Sequence, residues 1–298
     1  MARLVFAGSP SVATSYLREL ASAHDIVCVV TRTDAPLGRK RILTPTPVAS
    51  AADELGLTVL KTNSLKGVVL PDADLGVVVA YGGMVPTELL RHPAAGWVNA
   101  HFSMLPALRG AAPVQRGLWN GDNQTGITVF SLVEELDAGP VFYQRPIAFE
   151  ENETASDALH RIARDTAPEV ADVVNRIIDG ELTASEQSGQ VSFAPKFSRE
   201  DARIDWNRDA IQVLDRIRAV TTEPGAFTEY GTNALTVIRA RSASDVALRP
   251  GEVSVVGSTV CVGTATTAVE LVTVKPAGRS EMSGSDWARG LHESVRFS

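Results

Sequence analysis

Cysteine and aromatic residues are scarce in this sequence, and long apolar runs are missing. Of 298 residues only two are cysteine and 6% are aromatic, and Cys28 and Cys261 each lie inside an apolar stretch. We therefore expect buried thiols rather than a disulfide or a zinc site, and we predict no metal. No apolar run reaches the roughly 18–20 residues of a membrane span, and the chain turns at Gly8, too early for a signal peptide. We expect a cytoplasmic protein that contacts no membrane.

A net positive charge is also missing. The formal net charge is −7, and residues 1–190 carry 15 basic and 22 acidic side chains, whereas residues 191–298 carry 13 of each. Binding to nucleic acid needs positive charge somewhere on the surface, so any such contact must be local. The one dense basic cluster consists of Arg39, Lys40 and Arg41. It is either a nucleic-acid contact or a solvated turn.

Several signature motifs of common enzymes do not occur. The sequence contains no G-x-G-x-x-G, no G-x-x-x-x-G-K-[ST] and no G-x-S-x-G. These absences disfavour dinucleotide-dependent oxidoreductases, kinases and serine hydrolases. Neither cysteine stands next to a histidine, so covalent catalysis has no candidate nucleophile.

Short apolar runs alternate with helical segments through the first part of the chain, which predicts a largely parallel α/β sheet. Ser9 is expected to cap the first helix, with Pro10 at its first position. A strand at 141–149 follows its predecessor too closely for a crossover helix, so the sheet should be mixed. Predicted strands cover 4–7, 26–30, 76–80, 98–100, 127–130 and 141–149, and predicted helical segments include 47–55 and 86–91.

A long helical pattern begins at Thr154, where Asp157 can complete a capping box, and it ends near residue 179. The polar segment 181–195 then reads as a linker or as chain crossing the domain surface. Beyond it, one amphipathic helix is followed by short strands separated by glycines, which predicts a small β-barrel.

Asn99 and His101 lie at the end of a predicted buried strand and are two residues apart, so in an extended chain their side chains share one face. Ligand sites in open α/β sheets lie at the carboxyl ends of the strands. An amide and an imidazole that address one oxygen are suited to stabilise an oxyanion during acyl transfer. The alternative is an asparagine in a turn and a histidine satisfied by the backbone.

Asp137 lies in a turn between two predicted strands and could orient the His101 imidazole if that turn folds over the strand end. Glu134 and Glu135 are competing candidates, although most acidic residues in such a turn are merely solvated.

The order of these motifs is more specific than any one of them. Phe-Ala-Gly-Ser-Pro at 6–10 precedes Gly-Arg-Lys at 38–40 and Pro-Thr-Pro-Val at 45–48, followed by Asn-Ala-His at 99–101 and Ser-Met-Leu-Pro at 103–106. In this the chain resembles the methionyl-tRNA formyltransferases over nearly its whole length. The resemblance implies a Rossmann-like formyltransferase domain, a C-terminal domain resembling an OB fold, and transfer of formyl from 10-formyltetrahydrofolate to the methionine amine of initiator tRNA.

The same resemblance implies roles for individual residues. It places catalysis on Asn99, His101 and Asp137, with initiator methionyl-tRNA meeting the basic loop of Arg39, Lys40 and Arg41. Folate binding is implied for Tyr81, Gly82, Gly83, Met84, Val85, Ser103, Met104, Leu105, Pro106, Arg109 and Gly110. Together with the polar segment at 181–195 and the charge difference across it, the resemblance predicts a catalytic domain over 1–189, a linker over 190–204 and a tRNA-binding domain over 205–298.

Other formyltransferases share this catalytic trio, so a sugar-nucleotide or other small-amine acceptor is the first alternative. A non-enzymatic RNA-binding relative is the second, and the intact trio argues against it. For the oligomeric state a monomer is expected.

Overall fold

The computed structural model describes residues 1–38, 40–243, 246–291 and 295–298. These residues group into two compact units. The first unit comprises residues 1–113, 125–147 and 159–194, and the second comprises residues 114–124, 148–158 and 195–298. The domain boundaries implied above stay a prediction.

The secondary structure follows the α/β order expected from the sequence. The first strands and helices are β1 Arg3–Gly8, α1 Ser11–Ala23, β2 Asp25–Thr31, β3 Ala35–Leu37, β4 Ile42–Thr44, α2 Pro47–Glu54, β5 Val59–Lys61, β6 Leu75–Val79 and β7 Trp97–His101. They are followed by α3 Pro113–Asn120, β8 Gln124–Ser131, β9 Val141–Ala148 and α4 Ala155–Ile178.

The first unit is built on a seven-stranded sheet in the order β5-β2-β1-β6-β7-β8-β9. Strands β5, β2, β1, β6 and β7 are mutually parallel, whereas β7 and β8 are antiparallel. The central strands are almost continuously buried, as is typical of a sheet covered on both faces. The predicted Rossmann-like, mixed and mostly parallel sheet is confirmed.

Two local predictions in this unit are wrong. Ser9 does not cap α1, because its hydroxyl donates to the Tyr81 carbonyl at 2.9 Å and Pro10 occupies the N-cap position instead. The predicted helix at 86–91 is only a single 3₁₀ turn, Thr87–Leu89. The Leu90 amide donates to the Thr87 carbonyl at 3.2 Å, and the His92 amide donates to the Leu89 carbonyl at 3.1 Å. These bonds join residues three apart, as in a 3₁₀ turn, and not four apart as in an α-helix.

Gly76 permits a close packing contact at the centre of the sheet. The Trp97 side chain is fully buried, and its indole nitrogen donates to the carbonyls of Leu89 and His92 at 2.8 Å. A Cβ at position 76 would overlap this indole ring, so no side chain fits there without displacing it.

Gly76→Ala should therefore lower the free energy of unfolding by about 1–3 kcal/mol, the usual cost of overpacking a core. Urea unfolding measures this change. Gly117→Ala is the matched control, because its Cβ would meet Asp122 and Phe149 at an ordinary distance of about 3.5 Å inside α3. That variant should gain about 0.5–1 kcal/mol from helix propensity. Equal losses in both variants would contradict the packing argument.

The second unit contains a six-stranded antiparallel sheet. Its elements are α5 Ala210–Ala219, β10 Phe227–Tyr230, β11 Asn233–Ala243, β12 Val253–Val256, β13 Thr259–Gly263, β14 Ala268–Pro276, β15 Met282–Ser283 and α6 Gly284–Ala288. The strand order is β10-β11-β14-β13-β12, with β15 beside β14. Trp206 stacks on Phe297 in its core with ring centroids 5.5 Å apart. The predicted small C-terminal β domain is confirmed as an antiparallel half-barrel.

Both cysteines are buried free thiols, as predicted, and burial raises the pKa of each.

Among the residues that the structure describes, no helix is both long and apolar enough to cross a bilayer.

Candidate active site

Three parallel strands, β1, β6 and β7, end at the same edge of the sheet. The chain leaves β1 toward β2 on one side and later returns to β6 on the other, so the strand order reverses between β1 and β6. Ligands of open α/β sheets bind at such a switch point, outside the carboxyl ends of the strands. The hydrogen bond from Ser9 to the Tyr81 carbonyl joins the segments that follow β1 and β6.

His101 is the last residue of β7, and only 6% of its side chain is exposed. Its Nε2 atom lies 3.0 Å from the Leu108 carbonyl oxygen, and a carbonyl only accepts, so Nε2 carries the proton and donates. The other ring nitrogen, Nδ1, lies 3.9 Å from an Asp137 carboxylate oxygen. In the neutral ring, Nδ1 is therefore the atom that can accept a proton.

Asp137 is held beside His101 by the backbone. Its Oδ2 atom accepts a hydrogen bond from the Gly110 amide at 2.7 Å, and its own backbone is left-handed, with φ of 48°. Gly110 has φ of 120°, and a Cβ there would lie 2.9 Å from the Ala194 carbonyl oxygen. Only glycine brings its amide to Asp137 in this conformation.

Burial and the neighbouring groups shift the pKa of His101 in opposite directions. Burial lowers the pKa of His101, while the negative charge of Asp137 and the hydrogen bond to the Leu108 carbonyl raise it. A histidine that is neutral at rest and gains a stabilised positive charge on protonation is suited to proton transfer.

Asn99 lies two residues before His101 on β7, as the spacing predicts. Its Oδ1 atom is buried and has no hydrogen-bond partner among the described residues. A buried acceptor without a partner is rare in native proteins. This oxygen is therefore free to accept a hydrogen bond from a ligand or a water at the end of β7. The structure thus brings all three members of the predicted trio to one strand end.

Arg109, a residue of the predicted folate site, is buried, and its guanidinium is paired with two other side chains. Its guanidinium donates to Glu135 Oε1 at 2.8 Å and to Gln187 Oε1 at 2.7 Å. Glu135, one of the two acidic residues that compete with Asp137 for the role of the acid, therefore pairs with a buried cation, although 74% of its own side chain is exposed. Glu134 is not free either, because it accepts a hydrogen bond from the Thr87 hydroxyl at 2.7 Å.

Residues 185–194, which we name the strap, run across the loops that carry Arg109 and Asp137. Ser185 exchanges backbone hydrogen bonds with Val141 at 2.7 and 2.9 Å. Ser192 accepts the amide of Arg109 at 2.9 Å on its carbonyl. The Gln187 side chain donates to the carbonyls of Asp137 and Gly139. The sequence predicted a linker or a chain crossing the domain surface at 181–195, and it did not predict the contacts of this segment to the site.

The 81–85 segment follows β6. Tyr81 is buried and its hydroxyl donates to the Thr62 carbonyl, while the Gly82 carbonyl accepts a hydrogen bond from Arg32 at 2.6 Å. Met84 is 79% exposed, whereas Gly83 and Val85 are half-buried. Arg32 was not among the predicted site residues.

The 103–106 segment is braced internally. The Ser103 hydroxyl donates to the Ala107 carbonyl at 2.7 Å, and the Thr128 hydroxyl donates to the Ser103 carbonyl. Leu105 and Pro106 are buried, and Met104 is half-buried. The Ser103 hydroxyl is thus engaged within its own loop.

Within the described part of the chain, no group of three or more His, Cys, Asp or Glu side chains is arranged as a metal site.

Strands β3 and β4 form a two-stranded hairpin, and Lys40 and Arg41 of the basic cluster lie between these strands at its tip. Lys40 and Arg41 are exposed, as are the apolar side chains Leu37, Ile42 and Leu43. Arg39 lies outside the described residues.

Comparisons with known proteins cover both units. Residues 2–173 match the family described as formyl transferase, and residues 196–292 match the formyl transferase C-terminal domain. The methionyl-tRNA formyltransferase of Clavibacter sepedonicus is 46% identical over 97% of both chains, and that of Clavibacter michiganensis subsp. michiganensis is 48% identical over the same shares.

Among solved structures, HypX from Aquifex aeolicus in complex with tetrahydrofolic acid shares the fold. It has a TM-score of 0.68 and 19% identity, and the match covers 97% of this chain and 47% of HypX. This chain therefore spans about half the length of HypX.

Proposed function

Because this chain belongs to the formyl transferase family, we propose that it formylates the α-amino group of methionine on initiator tRNA. The observation that carries this proposal is the 46% identity to a methionyl-tRNA formyltransferase over 97% of both chains, which includes the C-terminal domain as well as the catalytic one. The substrate is a charged tRNA, so we place the reaction in the cytoplasm, as the sequence predicts.

The formyl donor belongs to the tetrahydrofolate class. We propose that it is 10-formyltetrahydrofolate, which supplies the formyl group and whose N10 is the leaving atom. The segments at 81–85 and 103–110 follow adjacent parallel strands at one edge of the sheet, where a ligand of this size would lie. The unpartnered Oδ1 of Asn99 fits a polar ligand there. HypX, which has the same fold, is described with tetrahydrofolic acid bound.

In the proposed mechanism the chain supplies an oxyanion donor and a proton relay. The Asn99 amide group donates to the oxygen that becomes negative when the amine attacks the formyl carbon. His101 Nδ1 accepts the proton released by that amine, since Nε2 is committed to the Leu108 carbonyl. Asp137 stabilises the imidazolium that forms. The proton then passes to N10 of the folate as the bond between N10 and the formyl carbon breaks.

The hairpin and the second unit are assigned to the tRNA. The hairpin tip carries Lys40 and Arg41 in an otherwise acidic half of the chain, and phosphate contacts require such local charge. We propose residues 1–189 as the catalytic part and residues 205–298 as a tRNA-binding part, since residues 191–298 carry no net acidic excess.

The direct test offers labelled 10-formyltetrahydrofolate with three acceptors in parallel. These are charged initiator tRNA, charged elongator methionyl-tRNA and an amino-sugar nucleotide. We expect efficient formylation of the initiator alone. Preferential formylation of the sugar nucleotide would replace the proposed acceptor, and failure with all three would remove the enzymatic assignment.

The double variant Lys40→Ala with Arg41→Ala tests the hairpin. Removing two phosphate contacts should weaken tRNA use and flatten the log–log salt dependence by about two units, while the KM for folate stays unchanged. The matched control removes the same charge at the exposed residues Lys66 and Arg91. An equal change in the control, or a loss of folate affinity, would show that the hairpin is not the tRNA contact.

A further inference from the structure

Gln187 uses every hydrogen-bonding position of its side-chain amide. The two N–H bonds of Nε2 serve the carbonyl of Asp137 at 2.8 Å and the carbonyl of Gly139 at 2.9 Å. Oε1 accepts from Arg109 through Nη2 at 2.7 Å and Nε at 3.3 Å. A glutamine amide has two donors and two acceptor positions, and here all four are used.

The partners of Gln187 belong to the two loops that hold His101. The first loop includes Leu108, whose carbonyl fixes the His101 tautomer, and Gly110, whose amide holds the Asp137 carboxylate. The second loop is the turn that contains Asp137 itself. One amide side chain therefore joins both loops, and it does so 48 to 50 residues away in sequence from its two carbonyl partners.

Asp137 needs such support. Its left-handed backbone, at φ of 48°, costs free energy for a residue with a side chain, although less for aspartate than for most, and the surrounding contacts offset that cost. The Gly110 amide fixes the carboxylate end, and Gln187 fixes the carbonyl end. Without Gln187, the turn could relax and move the carboxylate away from His101.

We propose that Gln187 is a positioning residue for formyl transfer, which acts by holding the Asp137 turn against the Arg109 loop. It does not touch the reacting atoms. The inference rests on the proposed function of the site, and it adds a residue of the strap to the machinery that sets the rate.

Gln187→Glu is the informative variant, because it keeps the acceptor for Arg109 and removes both donors to the carbonyls of Asp137 and Gly139. We expect kcat for formyl transfer to fall about 10- to 100-fold with little change in either KM, since small displacements of catalytic groups cost rates of this order. Gln190→Glu is the matched control, an exposed glutamine of the same strap. It should behave as wild type.

Two further measurements separate positioning from general loss of structure. In the double variant Asp137→Asn with Gln187→Glu, kcat should be no lower than in Asp137→Asn alone, because Gln187 acts through Asp137. The Gly110 amide should exchange its hydrogen about 10- to 100-fold faster in Gln187→Glu, which reports the loosened contact to Asp137 without any acceptor substrate.

The outcomes distinguish this inference from the proposed function. Inactive wild-type protein with faster Gly110 exchange in Gln187→Glu would overturn the proposed function and support the bracing contact. Active wild-type protein with unchanged kcat and unchanged exchange in Gln187→Glu would overturn the inference alone. Additive losses in the double variant, or a change confined to KM, would also overturn it.

Discussion

Asp137→Asn should slow single-turnover formyl transfer by about 10²–10⁴-fold, the range of general acid–base catalysis. Asparagine retains an oxygen that can accept the Gly110 amide, so the turn should keep its shape while the charge beside His101 disappears. The negative charge of Asp137 raises the pKa of His101, so its removal lowers that pKa. The limb of the pH–rate profile that reports His101 should therefore move to lower pH.

Glu134→Gln is the appropriate control, since Glu134 lies in the same connection and can still accept the Thr87 hydroxyl after the change. It should leave the rate nearly unchanged. Glu135→Gln is not a silent control, because Glu135 pairs with Arg109 in the structure. If Asp137→Asn reacts normally while Glu134→Gln fails, the acid has been assigned to the wrong residue.

Asn99→Ala should lower kcat by about 10²–10³, the usual cost of losing one oxyanion donor. His101→Ala should lower kcat by about 10²–10⁴, because it removes the group that accepts and passes on the proton. The KM values should change little, because these groups act on charge that develops only in the transition state. Single-turnover measurements with saturating folate and tRNA isolate the chemical step. Asn99→Asp refines the test, since it keeps an acceptor oxygen and removes the amide donor.

The control for this pair is Asn175→Ala, the same change at an exposed position of α4. A similar fall in kcat there would indicate a general effect of the substitution. An increase in KM with unchanged kcat for Asn99→Ala would instead make Asn99 a binding residue and remove it from the oxyanion site.

The central strands could be predicted from the sequence because buried parallel strands are continuous apolar runs. The prediction of 4–7 for the first strand compares with Arg3–Gly8, and 98–100 compares with Trp97–His101. The capping box of α4 could also be predicted from the sequence, and the Asp157 amide does donate to the Thr154 hydroxyl at 3.2 Å. These features depend on neighbours close in sequence.

The strap and the pairing of Glu135 could not be predicted in this way. Gln187 lies in a polar segment without periodicity, and its partners are backbone carbonyls far away in sequence, so its composition resembles that of any linker. Glu135 meets Arg109, which lies 26 residues earlier, only after the loops fold over the sheet. For the same reason Ser9 resembled a helix cap, although its hydroxyl donates to the carbonyl of Tyr81 in the segment that follows β6.

The position of the strap determines where this enzyme could be divided and recombined. Its last contact is that of Ala194, whose carbonyl accepts the Ala112 amide at 3.0 Å, and the match to the C-terminal domain begins at residue 196. A chimera joined after residue 189 would discard Ser192 and Ala194 along with the part that it meant to exchange. A junction at Pro195 would keep the complete strap, so a different C-terminal domain could be joined there without removing the hydrogen bonds of the strap to the loops that carry Arg109 and Asp137.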